Sequence, residues 1–130
     1  MADGPAILEE LMTKNGLLDS AQKLGEAMYR LRWGSASVIT TIVGESIVVI
    51  APLFDALPSG DPAGFCRKLL ELNSELGGTA SFAIQKNGSV VLQVGRGVKG
   101  LDADEFGLML ATVGKFADDY DDQLEADFYS

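Results

Sequence analysis

Histidine is missing from this 130-residue sequence. With it go the commonest general base, the commonest metal ligand and the usual partner of a serine or cysteine nucleophile, so triad-type hydrolysis has no base to run on. Cysteine is nearly missing too. The single Cys66 cannot close an internal disulfide and fits a reducing compartment. Long apolar runs are also lacking: no stretch of about 18 such residues occurs, and the opening MADGPAILEELMTKNG has neither a basic n-region nor an apolar h-region. The expectation is a soluble, cytoplasmic protein with no membrane insertion and no signal peptide. Positive charge is scarce, with 10 basic residues against 19 acidic ones and a formal charge of -9. That balance repels nucleic acid phosphates and anionic lipid surfaces alike, so nucleic acid is not an expected partner.

What is present suffices for one domain spanning residues 1–130. The composition, 47% hydrophobic and 22% charged, is that of an ordinary globular protein, and a chain this long needs no disulfide or metal to fold. The clearest stretch runs from Asp61 to Leu124. Asp61-Pro62 opens a helix with an N-cap carboxylate and a proline at the first position, Phe65, Leu69, Leu72 and Leu76 form its buried stripe, and Gly77-Gly78 ends it. SFAIQK and SVVLQV then flank Asn87-Gly88, the preferred pair for a type I′ hairpin. Leu101-Asp102 begins a second helix, with Asp102 as cap, Glu105 at the third position and Leu101 able to clasp Phe106. Its stripe is Phe106, Met109, Leu110, Val113, Ala117, Tyr120 and Leu124.

The first half reads less sharply. Ile7, Leu8, Leu11 and Met12 share one side of a helix over residues 5–14 that Asn15-Gly16 terminates. Leu17, Leu18, Ala21, Leu24 and Met28 recur at helical steps and predict a second helical segment, which Gly25 weakens. From Tyr29 the period becomes two: Tyr29, Leu31 and Trp33 alternate with Arg30 and Arg32, as in a half-buried strand. SVITTIV and SIVVIAPLF follow as two strands around Gly44-Glu45, a type II′ pair. Residues 47–51 are apolar on both faces, which predicts a sheet covered on two sides by a helix of the chain, a partner subunit or a bound peptide. Pro52, with no N–H to donate, should end regular pairing there.

Candidate chemistry is thin. Gly95 to Gly100 matches G-x-G-x-x-G, but no βαβ unit surrounds it, and Asp102, Asp104 and Glu105 put negative charge where a pyrophosphate would sit. The acidic run from Asp118 to Asp127 lacks the glycine and terminal glutamate of an EF-hand loop, reads as a solvated surface or a docking patch for a basic partner, and should fray the helix end. Cys66 suits small buried packing, whereas Asn73 is placed to satisfy a backbone edge. Catalytic, cofactor-binding and metal-binding residues are therefore expected to be absent. Tyr29, Trp33 and Phe54, with Met12 or Met28, can line an apolar peptide groove; the alternative is plain core packing.

LLELNSELGGTASFAIQKNGSVVLQV followed by LDADEFGLMLATVGKFADDYDDQL resembles the second half of the type III secretion chaperone-like superfamily, which includes Tir-type chaperones and YbjN-like bacterial proteins. The positions that carry the resemblance are Leu69, Leu70, Asn73, the Asn87-Gly88 turn, Leu101-Asp102 and Phe106 onward. It implies an α+β fold, an antiparallel sheet of about five strands with helices mainly on one face, in the order α-(α)-β-β-β-α-β-β-α. It also implies a non-enzymatic homodimer that binds an extended segment of a protein client. Trp33, Ile39, Val49 and Phe54 are the residues of this sequence expected to form the apolar protein-binding surface. The rival is a roadblock-like regulatory scaffold for a folded partner.

Overall fold

A computed structural model describes residues 4–129. The elements, in chain order, are α1 (Gly4–Lys14), β1 (Gln22–Gly25), β2 (Met28–Trp33), β3 (Ala36–Val43), β4 (Ser46–Phe54), α2 (Pro62–Leu76), β5 (Ser81–Ile84), β6 (Val90–Gly97) and α3 (Ala103–Leu124), closed by a π-helical turn over Glu125–Tyr129. All strands lie in one antiparallel sheet of order β1-β2-β3-β4-β6-β5. Six strands rather than five result because the second helical segment expected around Leu17 to Met28 does not form. In its place a turn leads into β1, which pairs with β2 through Gln22↔Arg30 and Gly25↔Met28. Helical spacing stabilises only when the stripe is buried, and every residue of β1 is exposed. Leu17, Leu18 and Ala21 pack against the core from the turn, whereas Leu24 and Met28 stay exposed, so past Ala21 the backbone gains more from pairing with β2 than from continuing as a helix.

The capping chemistry appears as read. The Asp61 carboxylate accepts the Gly64 N–H at 3.0 Å, Gly77 ends α2 at φ 63°, and Asp102 accepts the Glu105 N–H at 2.7 Å. Gly44, at φ 60° before a residue of negative φ, fits the type II′ turn between β3 and β4. The Asn87-Gly88 hairpin is different from the type I′ turn expected. Only Gly88 has positive φ, the Gly88 N–H donates to the Gln85 carbonyl at 2.8 Å, and the Gln85 N–H donates to the Ser89 carbonyl at 2.9 Å. This is a three-residue loop, with Asn87 bound through Oδ1 to the Ser89 N–H instead of strained into the left-handed region. Pro52 stays within β4, opposite Val91 of β6, and a register shift follows it before Phe54. The β3 side has already stopped pairing at Ile50, so no donor is missed.

All three helices cover the same face. The core cluster joins Leu8, Leu11 and Met12 of α1, Phe65, Leu69, Leu72 and Leu76 of α2, and Phe106, Met109, Leu110, Val113, Ala117 and Leu124 of α3 to Tyr29, Leu31, Val38, Val49, Ala51, Leu92 and Val94 of the sheet. Burying each large apolar side chain is worth roughly 1.5 to 3 kcal/mol before chain entropy is subtracted. The acidic end of α3 does not fray. It continues into the π-helical turn, where Phe128 meets Phe65 edge-on, Tyr129 stacks on Phe54 with centroids 4.0 Å apart, and the Tyr129 hydroxyl donates to the Ala56 carbonyl at 2.7 Å. Aromatic burial outweighs the repulsion of exposed carboxylates there.

Candidate protein-binding surface

The opposite face of the sheet carries no helix among the described residues. Its composition follows from strand alternation: on β3 and β4, Val38, Thr40, Val49 and Ala51 point to the helices, so Ile39, Thr41, Val48 and Ile50 point away. The covering of both faces that the apolar strand β4 predicts is not supplied by the described residues. Ile39, Val48 and Ile50 remain half-buried and lie outside the helix-side core. Register places one row straight across the sheet, Gln22, Arg30, Ile39, Ile50, Gln93 and Ser81 in succession. A parallel row holds Met28, Thr41, Val48 and Gly95. The result is an aliphatic centre flanked by arginines on β2 and amides at the sides.

The two edges of the sheet differ. On β5 the Phe82 N–H donates to Asn73 Oδ1 at 2.6 Å, and Asn73 Nδ2 donates to the Phe82 carbonyl at 3.2 Å. That edge is closed at its centre by a side chain of α2. On β1 no hydrogen bond among the described residues ties the backbone of Gln22–Gly25 to anything beyond β2. It is the accessible strand edge.

The four residues expected to bind protein are not brought together. Val49 is fully buried beneath the helices. Trp33, at the end of β2, lies against Gly114 of α3. Phe54 is held between Phe65 and Tyr129. Ile39 stands on the helix-free face. Val48 and Ile50, neighbours of Val49 along the strand, stand there with it, and the apolar run on β4 could have pointed to them once the inward face was known.

A second apolar feature is a partly open cleft of about 690 Å³ where the start of α1 meets the β3–β4 turn and the end of β6, lined by Gly4, Ile7, Ile42, Ser46, Val98 and Lys99 among others. The glycine sequence Gly95 to Gly100 forms the end of β6 and its exit loop, with Gly97 paired to Ser46 and the Arg96 guanidinium turned onto the Gly95 carbonyl. At the β2–β3 turn, the Ser35 N–H and hydroxyl both donate to Asp118 Oδ1, at 2.9 and 2.7 Å, and hold its carboxyl below the usual carboxylate range; slight burial opposes this. Burial, with the neighbouring Cys66, pushes the Tyr129 hydroxyl above its ordinary value. These groups anchor the scaffold and form no catalytic constellation.

The sheet is open, with its helices on one side and, among the described residues, an aliphatic face and one strand edge left accessible on the other. Residues 6–115 match the model of the Tir chaperone protein (CesT) family, and the chain belongs to that family. No curated protein matches the sequence. Among solved structures, a chain of the ExsC–ExsE complex superposes with TM-score 0.65 at 21% identity, covering 92% of both chains. A chain of the heterodimeric ExoU–SpcU complex of the Pseudomonas aeruginosa type III secretion system gives 0.70 at 19% identity, over 92% of this chain and 98% of that one. The Yersinia pestis type III secretion chaperone SycH, bound to a fragment of YscM2, gives 0.57 at 18% identity, over 88% and 97%. The fold is shared with these proteins, and the family is one of non-enzymatic chaperones. Among the described residues no helix is long and apolar enough to cross a membrane.

Proposed function

We propose that this protein is a cytoplasmic type III secretion chaperone that holds an extended segment of a client protein against the helix-free face of its sheet and along the β1 edge. The observation that carries this reading is the half-buried patch of Ile39, Val48 and Ile50, which no helix among the described residues covers. Aliphatic side chains in that state are stabilised by anything that removes them from water, at about 25 cal/mol per Å². A free strand edge beside them offers backbone pairing to a chain that has no fold of its own. Ile39, Val48 and Ile50 take the place of the buried Val49 as contact residues, while Trp33 and Phe54 shape the scaffold at its margins.

The unit that does this is a homodimer formed through α2. Leu70 is 69% exposed on that helix, and Ile84 at the neighbouring β5 strand is 43% exposed. With the β5 edge closed by Asn73, side chains rather than strand pairing would make the contact there.

The test is to recover the protein with its client at endogenous levels, wild type beside an Ile39→Asp, Ile50→Asp variant. The expected result is a protease-sensitive client segment that becomes protected on the wild type and is lost from the variant. A partner that binds as a folded domain, or one retained equally by both proteins, would refute the reading.

A further inference from the structure

The helix-free face carries positive charge on a strongly negative molecule. Arg30 and Arg32 alternate along β2 on that face, Arg30 directly opposite Ile39 and Arg32 opposite Ser37. Both are exposed. The ion pairs of the described residues are Lys14–Glu10 and Arg67–Glu71, each within a helix, so neither β2 arginine is neutralised by a carboxylate among the described residues. Arg30 reaches only the Gln22 amide, at 3.5 Å.

From this we infer that the client segment is itself acidic and amphipathic: apolar side chains cover Ile39, Val48 and Ile50 while carboxylates pair with Arg30 and Arg32. The inference rests on the proposed use of this face and adds what the face selects. A guanidinium donates two parallel N–H bonds to a carboxylate in fork geometry, and beside an aliphatic surface that excludes water the pair is stronger than in bulk solvent. Selectivity follows from the sign of charge. The net charge of -9 disfavours acidic segments over the surface as a whole, while Arg30 and Arg32 set two positive charges directly beside the aliphatic patch.

The probe is a fluorescein-labelled peptide of alternating leucine and glutamate, with a leucine–lysine peptide of the same length as control, followed by anisotropy at low and at physiological salt. The wild type is expected to prefer the glutamate peptide by about tenfold or more, less so as salt rises. An R30E, R32E variant, whose substitutions are on exposed positions and whose fold is checked by circular dichroism, is expected to reverse that preference. Equal binding of the two peptides, no binding of either, or a preference that survives R30E and R32E overturns the inference. So does a dimer that the double variant converts to monomers, since the arginines would then serve a second copy of this chain. Failure of the client-retention test on Ile39 and Ile50 would instead remove the face from function altogether. Retention of a client segment without carboxylates would sink only the charge selectivity.

Discussion

Asn73 of α2 holds Phe82 of β5 through both polar groups of the backbone, the Phe82 N–H donating to Oδ1 at 2.6 Å and Nδ2 donating to the Phe82 carbonyl at 3.2 Å. A side-chain amide here does what a neighbouring strand would do. Replacing it by alanine leaves a part-buried donor and acceptor without partners, a cost of about 1 to 3 kcal/mol. The expected outcome for Asn73→Ala is a lower urea midpoint together with concentration-dependent association, as the β5 edge becomes free to pair. Asn73→Asp keeps the acceptor and loses the donor, so it should fall between the two. An Asn73→Ala protein as stable as wild type at all concentrations would contradict this.

Gly114 is where α3 passes over Trp33. A Cβ at that position would land on the indole ring, close to Cγ and Cδ2, atoms near the root of the side chain that cannot swing aside. Alanine improves helix propensity by about 1 kcal/mol, but overpacking of this kind costs about 1 to 3 kcal/mol. Stability measured by denaturant titration should fall in the order Gly114, Gly114→Ala, Gly114→Val, with a shift in tryptophan emission that tracks it. A more stable Gly114→Ala would show that the two elements can part without loss.

Asp118 is linked to pH through Ser35. Its carboxyl is held below the usual range chiefly by the Ser35 hydroxyl and then by the Ser35 N–H. Because the folded value is the lower one, the unfolded chain binds more protons between the two values, and stability rises with pH across that window. The contribution is therefore present above the ordinary carboxylate pKa and lost as pH falls through the folded one. Ser35→Ala should move the Asp118 carboxyl signal upward toward the ordinary range in an NMR titration. Its melting temperature should lie below wild type at neutral pH and converge with it in acid.

Thr40 is fully buried on the helix side of β3, between Tyr29 and Val49 in register, and its Oγ1 has no hydrogen-bond partner. Nothing in the structure explains the hydroxyl. Burying a hydroxyl without a partner costs about 1 to 3 kcal/mol on mutational scales, so Thr40→Val, which keeps the shape, should be neutral or stabilising by up to that amount. A clear loss of stability in thermal unfolding would contradict the expectation.

Leu70 gives the proposed dimer its own test. Leu70→Arg on the exposed side of α2 should leave the monomer fold and its circular dichroism intact, because Phe65, Leu69, Leu72 and Leu76 face the other way. Light scattering is expected to report the mass of two chains for the wild type and of a single chain for the variant. A Leu70→Arg dimer would move the interface elsewhere.

Local chemistry alone determined most of the second half. Asp61, Gly77 and Asp102 mark helix ends because orphan N–H and C=O groups must be satisfied within a few residues, and the stripes Phe65 to Leu76 and Phe106 to Leu124 state which sides of α2 and α3 are buried. Even Asn73 could be read as a residue aimed at a backbone edge. The absence of histidine removed triad-type hydrolysis before any fold was known.

Tertiary structure decided what spacing could not. Leu17 to Met28 has helical periodicity, yet only Leu17, Leu18 and Ala21 find cover on the core, and beyond them the chain pairs as β1 against β2. Val48, Val49 and Ile50 are equally apolar in the sequence, and only the docking of α1 and α3 on one face buries Val49 and leaves its two neighbours on the other. Arg30 and Ile39 stand nine positions apart and become neighbours only through strand register. A surface is a property of which side is left uncovered, and that is settled by long-range packing rather than by any local preference along the chain.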